Sequence, residues 1–246
     1  MPLFINHLLF LHLFIWSAYT IAETQYPITF DGRIPQNATK SLFKSVQSPF
    51  NPRYVLGQSA ETALRRTELL VNNKPLTVSG KKTWFTSLRT SSSNPLNYNH
   101  EHLLVFHEAQ DFQADFYSLK TGKPMEDIGP WKEEGKSKTF FLTPFTEDIW
   151  HNFGIYLNYD DNEMQVLYST ADNPLRVATP MLPNNLSGKA PTTLGETHFG
   201  LQKRPTGANL TNYLYEGTQE FGIHEGLIMG GIWQVSGQAQ NCSLQH

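Results

Sequence analysis

The chain has 246 residues, enough for one large β domain or two small ones, and 19 Lys plus Arg against 22 Asp plus Glu leave a net charge of −3. That balance argues against a nucleic-acid polyanion as partner. Aromatic residues reach 13%, helical periodicity is poor, and 17 Gly and 15 Pro punctuate the chain, a composition that fits a β-rich fold with stacking surfaces rather than a helical one.

Residues 1–22 contain no Lys, Arg, Asp or Glu, and their apolar stretch at 8–16 is too short to span a bilayer with its flanks. With Ala22 closing it, this segment is expected to be a secretory signal peptide, although its start lacks the usual positive charge; an uncleaved anchor is the alternative. Residues 23–246 are then one exported domain, since no later run approaches ~18 apolar residues. Sequons at Asn37, Asn185, Asn209 and Asn241 agree with export and predict N-glycosylation. Cys242 is the sole cysteine, so a large core must replace disulfides.

In chain order, residues 23–60 read as a loop-rich wrap with turn chemistry around Asp31-Gly32 and Pro49 to Pro52. The first strand is Arg65-Arg66-Thr67-Glu68-Leu69-Leu70. Alternation sends Arg66, Glu68 and Leu70 to one face and Arg65, Thr67 and Leu69 to the other. Residues 82–89 follow as a strand with Trp84 and Leu88 on one face, then a polar loop, a strand at 100–108 and another at 115–119 ending in the turn Thr121-Gly122. Strands are also expected at 138–142 and 150–159, the latter with Phe153, Ile155 and Leu157 facing one way. A hairpin at Asp160 to Glu163 leads into 164–169. Residues 172–195 read as a long loop, and strands at 197–203 and 226–235 finish the chain, the last interrupted by Gly230-Gly231. The whole predicts an all-β, single-domain antiparallel β-sandwich or jelly roll.

Chemistry narrows by elimination. His100, His102 and His107 cluster on one strand, but no HExxH motif or third ligand accompanies them, so no metal is expected. No GxSxG elbow and no Gly-rich phosphate turn is present, so neither a serine triad nor a nucleotide cofactor is expected; the cofactor expectation is none. Paired carboxylates remain, the pair that glycoside hydrolysis needs as acid and base. Glu68, Glu101, Glu108, Glu147, Glu196, Glu220 and Glu225 are the candidates. In a regular strand Glu101 and Glu108 lie on opposite faces, so only one could join Glu68; a β-bulge would cancel that argument. A polysaccharide lyase, with Arg neutralising a uronate, is a rival reading of the Arg-Thr-Glu-Leu strand.

Residues 28–35 (Ile-Thr-Phe-Asp-Gly-Arg-Ile-Pro), 48–52 (Ser-Pro-Phe-Asn-Pro), 65–70, 100–108 and 225–232 (Glu-Gly-Leu-Ile-Met-Gly-Gly-Ile) together resemble glycoside hydrolase family 131, from about Ile28 to Trp233. The resemblance implies a secreted fungal jelly-roll β-glucanase acting on β-1,3-, β-1,6- and β-1,4-linked glucans with inversion. It implies a catalytic glutamate pair, which matches Glu68 and Glu108, with Glu101 as competitor for the second place. Arg66 beside Glu68 favours Glu68 as base, and an apolar setting near Phe106 would keep the other glutamate protonated. Arg66, Arg89, His107, Trp150 and His224 are the candidate substrate contacts. The stretch between Pro52 and Arg65 is short for the family, and no cellulose-binding module follows. The expected partner is a polysaccharide, with no nucleic acid and no membrane after signal cleavage, and the expected state is a monomer. A glucan-binding or effector-like jelly roll without turnover is the remaining alternative.

Overall fold

The computed structural model describes residues 26–35, 37–51, 63–71, 75–110, 115–125, 138–184, 195–239 and 244. The expected signal peptide, Cys242 and the sequons at Asn185 and Asn241 lie outside them. The described strands are β1 (Ile28–Asp31), β2 (Arg65–Leu70), β3 (Lys81–Thr90), β4 (Glu101–Ala109), β5 (Asp115–Gly122), β6 (His151–Asn158), β7 (Glu163–Thr170), β8 (Arg176–Val177), β9 (Leu182–Pro183), β10 (Gly195–Lys203) and β11 (Leu227–Ser236). All pairings between them are antiparallel. No helix among the described residues is long and apolar enough to cross a membrane.

Two sheets form. The larger runs β1-β11-β3-β6-β7-β8, with β9 also on β7; the smaller runs β2-β10-β4-β5. Their inner faces meet in one core, because period-2 alternation turns Trp84 and Leu88 of β3, and Phe153, Ile155 and Leu157 of β6, toward Val105, Phe116 and Phe199 of the small sheet. Trp84 and Phe199 make the cross-sheet contact at 5.7 Å between ring centroids. Removing a side chain such as Phe199 from water stabilises the sandwich by roughly 1.5–3 kcal/mol. A second cluster sits on the other face of the large sheet, where Phe85 stacks on Trp233 at 4.3 Å and Leu167, Leu175, Val235 and Leu244 complete it. Strand β11 serves both clusters: a register shift between Gly230 and Trp233, with Gly231 at φ 59°, lets Met229 and Ile232 face the inter-sheet core while Trp233 and Val235 face away.

The antiparallel sandwich agrees with the sequence pattern, and local differences have local causes. Residues 138–142 are not a strand. Phe140 and Phe141 pack on the core edge, Phe141 against Tyr168 at 5.1 Å, and Thr143 reaches the Tyr168 hydroxyl, so side chains rather than a ladder hold this segment. The region read as a loop after residue 172 contains β8 and β9, both two-residue pairings on β7 too short to leave an alternating pattern. The N-terminal wrap contains β1, and Thr121-Gly122 belongs to β5 rather than to a turn.

Candidate active site

The small sheet turns one face to the core and the other away from it, and the second face collects the chemistry. Directly opposite residues in an antiparallel ladder share a face. Strand β10 pairs Gly200 with Glu68 and Gln202 with Arg66 on β2, and on its other side pairs His198 with Phe106 and Glu196 with Glu108 on β4. Arg66, Glu68, Phe106, Glu108, Glu196, His198 and Gln202 therefore share one surface. The opposite parity, Leu69, Val105, Thr197 and Phe199, is packed inward.

His198 stands between the two glutamates. Its Nδ1 lies 3.2 Å from Glu68 Oε2, and its Nε2 lies 3.7 Å from Glu108 Oε2 and 3.9 Å from Glu196 Oε2. The ring stacks on Phe106 at 4.1 Å with planes 13° apart, which fixes its orientation. Gln202 Nε2 donates to Glu68 Oε1 at 3.2 Å, and Arg66 Nη1 lies 3.6 Å from Glu68 Oε2. Glu68 is buried at 5% exposure, whereas the Glu108 side chain keeps 27%. Burial, reinforced by the charge of Asp115, raises the Glu108 carboxyl to about 7, against the opposing pull of His198. Glu68 thus accepts from Gln202, lies within hydrogen-bond distance of His198 and ion-pairs with Arg66, while the carboxyl of Glu108 is raised to about 7.

The bulge allowed for in the sequence is present. Register shifts between Leu103 and Val105 on β4, and between Phe199 and Gln202 on β10, place Leu103 opposite Gln202. Alternation resets there, so Glu101 falls on the same side as Glu108 despite the odd spacing. Glu101 is nevertheless committed elsewhere. Arg204 Nη1 lies 2.9 Å and Lys120 Nζ 3.5 Å from its Oε1, and Met125 N donates to its Oε2 at 2.9 Å. This carboxylate anchors Arg204, Lys120 and the backbone at Met125. A cavity of about 520 Å³ opens along the β2 edge, lined by Arg66, Glu68, Leu69, Phe199, Leu227 and Met229 among others, and reaches Glu68 from that side.

Of the expected substrate contacts, only Arg66 stands beside Glu68. His107 corrects the expectation: it is fully buried between the sheets, its Nδ1 is 2.6 Å from Thr197 Oγ1, and desolvation lowers its pKa to about 3. Its parity after the bulge points it inward, so it cannot touch a polymer on the far face. Arg89 and Trp150 also correct it. Arg89 shares parity with Phe85 and Ser87 on the large sheet, on the face turned away from the small one, and its guanidinium lies over Trp150 at 5.1 Å. The two form a pair of their own on a different surface. His224 is an exposed loop residue whose Nε2 accepts from Asn94 Nδ2 at 2.6 Å, not a neighbour of the glutamates.

The other histidines and glutamates have partners of their own. His100 Nε2 lies 2.8 Å from Glu220 Oε2, His102 Nε2 lies 2.8 Å from Glu225 Oε2, and Lys203 bridges Glu220 and Glu225. This network fastens the segment between β10 and β11 onto the small sheet. Among the described residues no group of three or more His, Cys, Asp or Glu could hold a metal ion. His198 and Gln202 are the site residues that sequence reasoning missed. The available signal was Glu196 and His198, two apart and therefore on one face of a strand.

No curated protein sequence matches the chain significantly. Among solved structures, a GH131 β-glucanase catalytic domain from Podospora anserina is similar at TM-score 0.61 and 18% identity, covering 87% of this chain and 98% of the other. The catalytic domain of a glycoside hydrolase family 131 protein from Coprinopsis cinerea is similar at TM-score 0.56 and 16% identity, covering 87% and 97%. The glycoside hydrolase 131 catalytic N-terminal domain matches residues 59–238, a span that contains both Glu68 and Glu108. That match spans most of the chain, and the chain belongs to glycoside hydrolase family 131.

Proposed function

We propose that the protein hydrolyses β-glucan with inversion, Glu68 acting as general base and Glu108 as general acid. The observation that carries this reading is the interposed His198, with the two carboxylates on opposite nitrogens of one ring at 3.2 and 3.7 Å. An imidazole between them keeps the carboxyl groups apart, in keeping with the ~6.5–9.5 Å of inverting enzymes rather than the ~5–5.5 Å of retaining ones. The glycosidic oxygen takes the Glu108 proton as its bond to the anomeric carbon breaks. Water between Glu68 and the opposite sugar face loses its proton to Glu68 as it attacks. His198 and Gln202 hold Glu68 in place, and Phe106 holds His198. The β-glucan substrate is drawn from the similar Podospora anserina enzyme. Hydrolysis at β-1,3, β-1,6 and β-1,4 linkages extends that reading.

The lyase alternative is disfavoured by charge. Glu108 has Glu196 opposite it on one strand and Asp115 on the other, and Arg66 is already engaged by Glu68, so an anionic uronate would meet repulsion where it must react. Exposed Asn37 and Asn209 support an exported, N-glycosylated protein. Reducing-sugar release from laminarin, a β-1,6-glucan and a mixed-linkage glucan, beside ultraviolet absorbance from a polyuronate, tests the assignment with wild type, Glu68→Gln and Glu108→Gln. We expect turnover of neutral glucan by wild type alone, each variant losing about 10²–10⁴-fold. Undiminished activity in both variants removes the pair, unsaturated product from polyuronate establishes the lyase, and glucan binding without turnover leaves a binding protein.

A further inference from the structure

Strand β10 presents Glu196, His198 and Gly200 in alternation on the face that carries the glutamate pair. Gly200 stands opposite Glu68, Glu196 stands opposite Glu108, and His198 is midway between them. Glu196 Oε2 lies 3.9 Å from His198 Nε2, the nitrogen that also meets Glu108 Oε2 at 3.7 Å, whereas Glu68 meets Nδ1. Both Nε2 distances are longer than a hydrogen bond. His198 Nε2, in a side chain only 6% exposed, has no hydrogen-bond partner among the described residues. The Glu196 side chain keeps 40% exposure, against 27% for Glu108 and 5% for Glu68. A buried, unmet nitrogen thus points between two carboxylates, and the outer one is open to solvent.

In an inverting displacement, water attacks the anomeric carbon from the face opposite the departing oxygen. With water at Glu68 and that oxygen at Glu108, the sugar leaving with the oxygen extends away from Glu68. It passes over the Nε2 side of the ring, where Glu196 is the most exposed of the three glutamates. A carboxylate there only accepts, and sugar hydroxyls donate to it in short, charge-assisted bonds. The buried nitrogen without a partner beside it marks a polar contact that the protein does not complete itself. We infer that Glu196 is a specificity-determining contact of the leaving-group subsite, accepting hydroxyl donors from the neutral glucosyl unit that departs from Glu108. This rests on the glucanase reading, with Glu108 as acid. Asp115, opposite Glu108 on β5, adds a second negative charge on the other flank, so a polyhydroxylated neutral sugar fits where an anionic one is repelled.

The experiment compares wild type with Glu196→Gln, Glu196→Ala and, as a control on the exposed turn after β7, Asp172→Asn. Laminarihexaose, whose leaving group is a sugar, is set beside nitrophenyl β-laminaribioside, whose leaving group offers no hydroxyl donor. The Glu196 charge also raises the Glu108 carboxyl, so kcat/KM is read on the acidic plateau of each pH profile, where that effect is absent. On laminarihexaose, Glu196→Gln should lower kcat/KM by about tenfold and Glu196→Ala by about tenfold to hundredfold, as loss of a hydrogen bond to a charged group does. On the aryl substrate both should stay within about twofold of wild type, as should Asp172→Asn on either substrate. Thermal melting checks folding; if Glu196→Ala melts early, the nearly isosteric Glu196→Gln decides. Equal losses on the two substrates overturn the subsite, by assigning Glu196 to the chemical step. Wild-type kcat/KM on laminarihexaose in both Glu196 variants overturns it too, and leaves the hydrolase intact. A wild type that cleaves no glucan refutes the glucanase instead. Titration calorimetry with laminarihexaose then decides for Glu196: binding weakened about tenfold in Glu196→Gln upholds the sugar contact, and wild-type affinity overturns it.

Discussion

Three groups converge on Glu68: His198 Nδ1 and Gln202 Nε2 at 3.2 Å, and Arg66 Nη1 as an ion pair at 3.6 Å. Glu108 has only His198, at 3.7 Å, to set against burial and its acidic neighbours, and its carboxyl rises from 4.5 to about 7. Two chemically identical side chains thereby meet different surroundings, which is the ground for proposing opposite tasks for them. The direction of the pH dependence follows. A carboxyl raised in the folded state favours the native protein while protonated and opposes it once ionised, so both acid function and this contribution to stability fade as pH rises through about 7. On laminarin, kcat/KM should fall about tenfold per pH unit above that point. Asp115→Asn, which removes a negative neighbour of Glu108, should move the basic limb to lower pH. A wild-type basic limb near 4.5, the ordinary value for a glutamate, would contradict the assignment of Glu108 as acid.

At the level of elements, β10 is the spine of the site, and its glycines let the flanking strands approach. A Cβ at Gly200 would stand 2.1 Å from Thr67 O and 2.8 Å from Glu68 Cα; one at Gly195 would stand 2.0 Å from Glu108 O. Each glutamate-bearing strand therefore closes on β10 at a residue without a side chain. Gly200→Ala must push β2 away, because the obstacle is backbone that has no rotamer to change. We expect a destabilisation of roughly 1–3 kcal/mol and, from displacement of Glu68, a loss of roughly hundredfold in kcat/KM. Gly226→Ala, whose Cβ would meet Asn94 Cβ at 3.2 Å, is the milder comparison. Thermal melting and laminarin kinetics on the two variants check this. Wild-type kinetics in Gly200→Ala would show that the β2–β10 contact does not position Glu68.

For the whole molecule, what the sequence could show ended where long-range pairing began. Alternation put Arg66 and Glu68 on one face because that needs only the strand's own period. It failed for Glu101, because the bulge between Leu103 and Val105 depends on the fit of β4 to its neighbours; His107 follows plain alternation, on the face opposite to that of Glu108 and shared with Val105. Arg89 and Trp150 were expected as substrate contacts, but nothing local states which of two sheets carries them or that they pair with each other. His198 is a lone histidine in its own strand and acquires meaning only when β10 lies between β2 and β4. The sandwich was legible from many short alternating segments; the site required knowing which of them touch. We propose that the two carboxylates on either side of the His198 imidazole carry out a single-displacement hydrolysis. Proton nuclear magnetic resonance of the first product released from laminarin by the wild-type enzyme tests this most directly. Inversion predicts that the new reducing end appears first as the α-anomer and then mutarotates, whereas a β-anomer appearing first would contradict it.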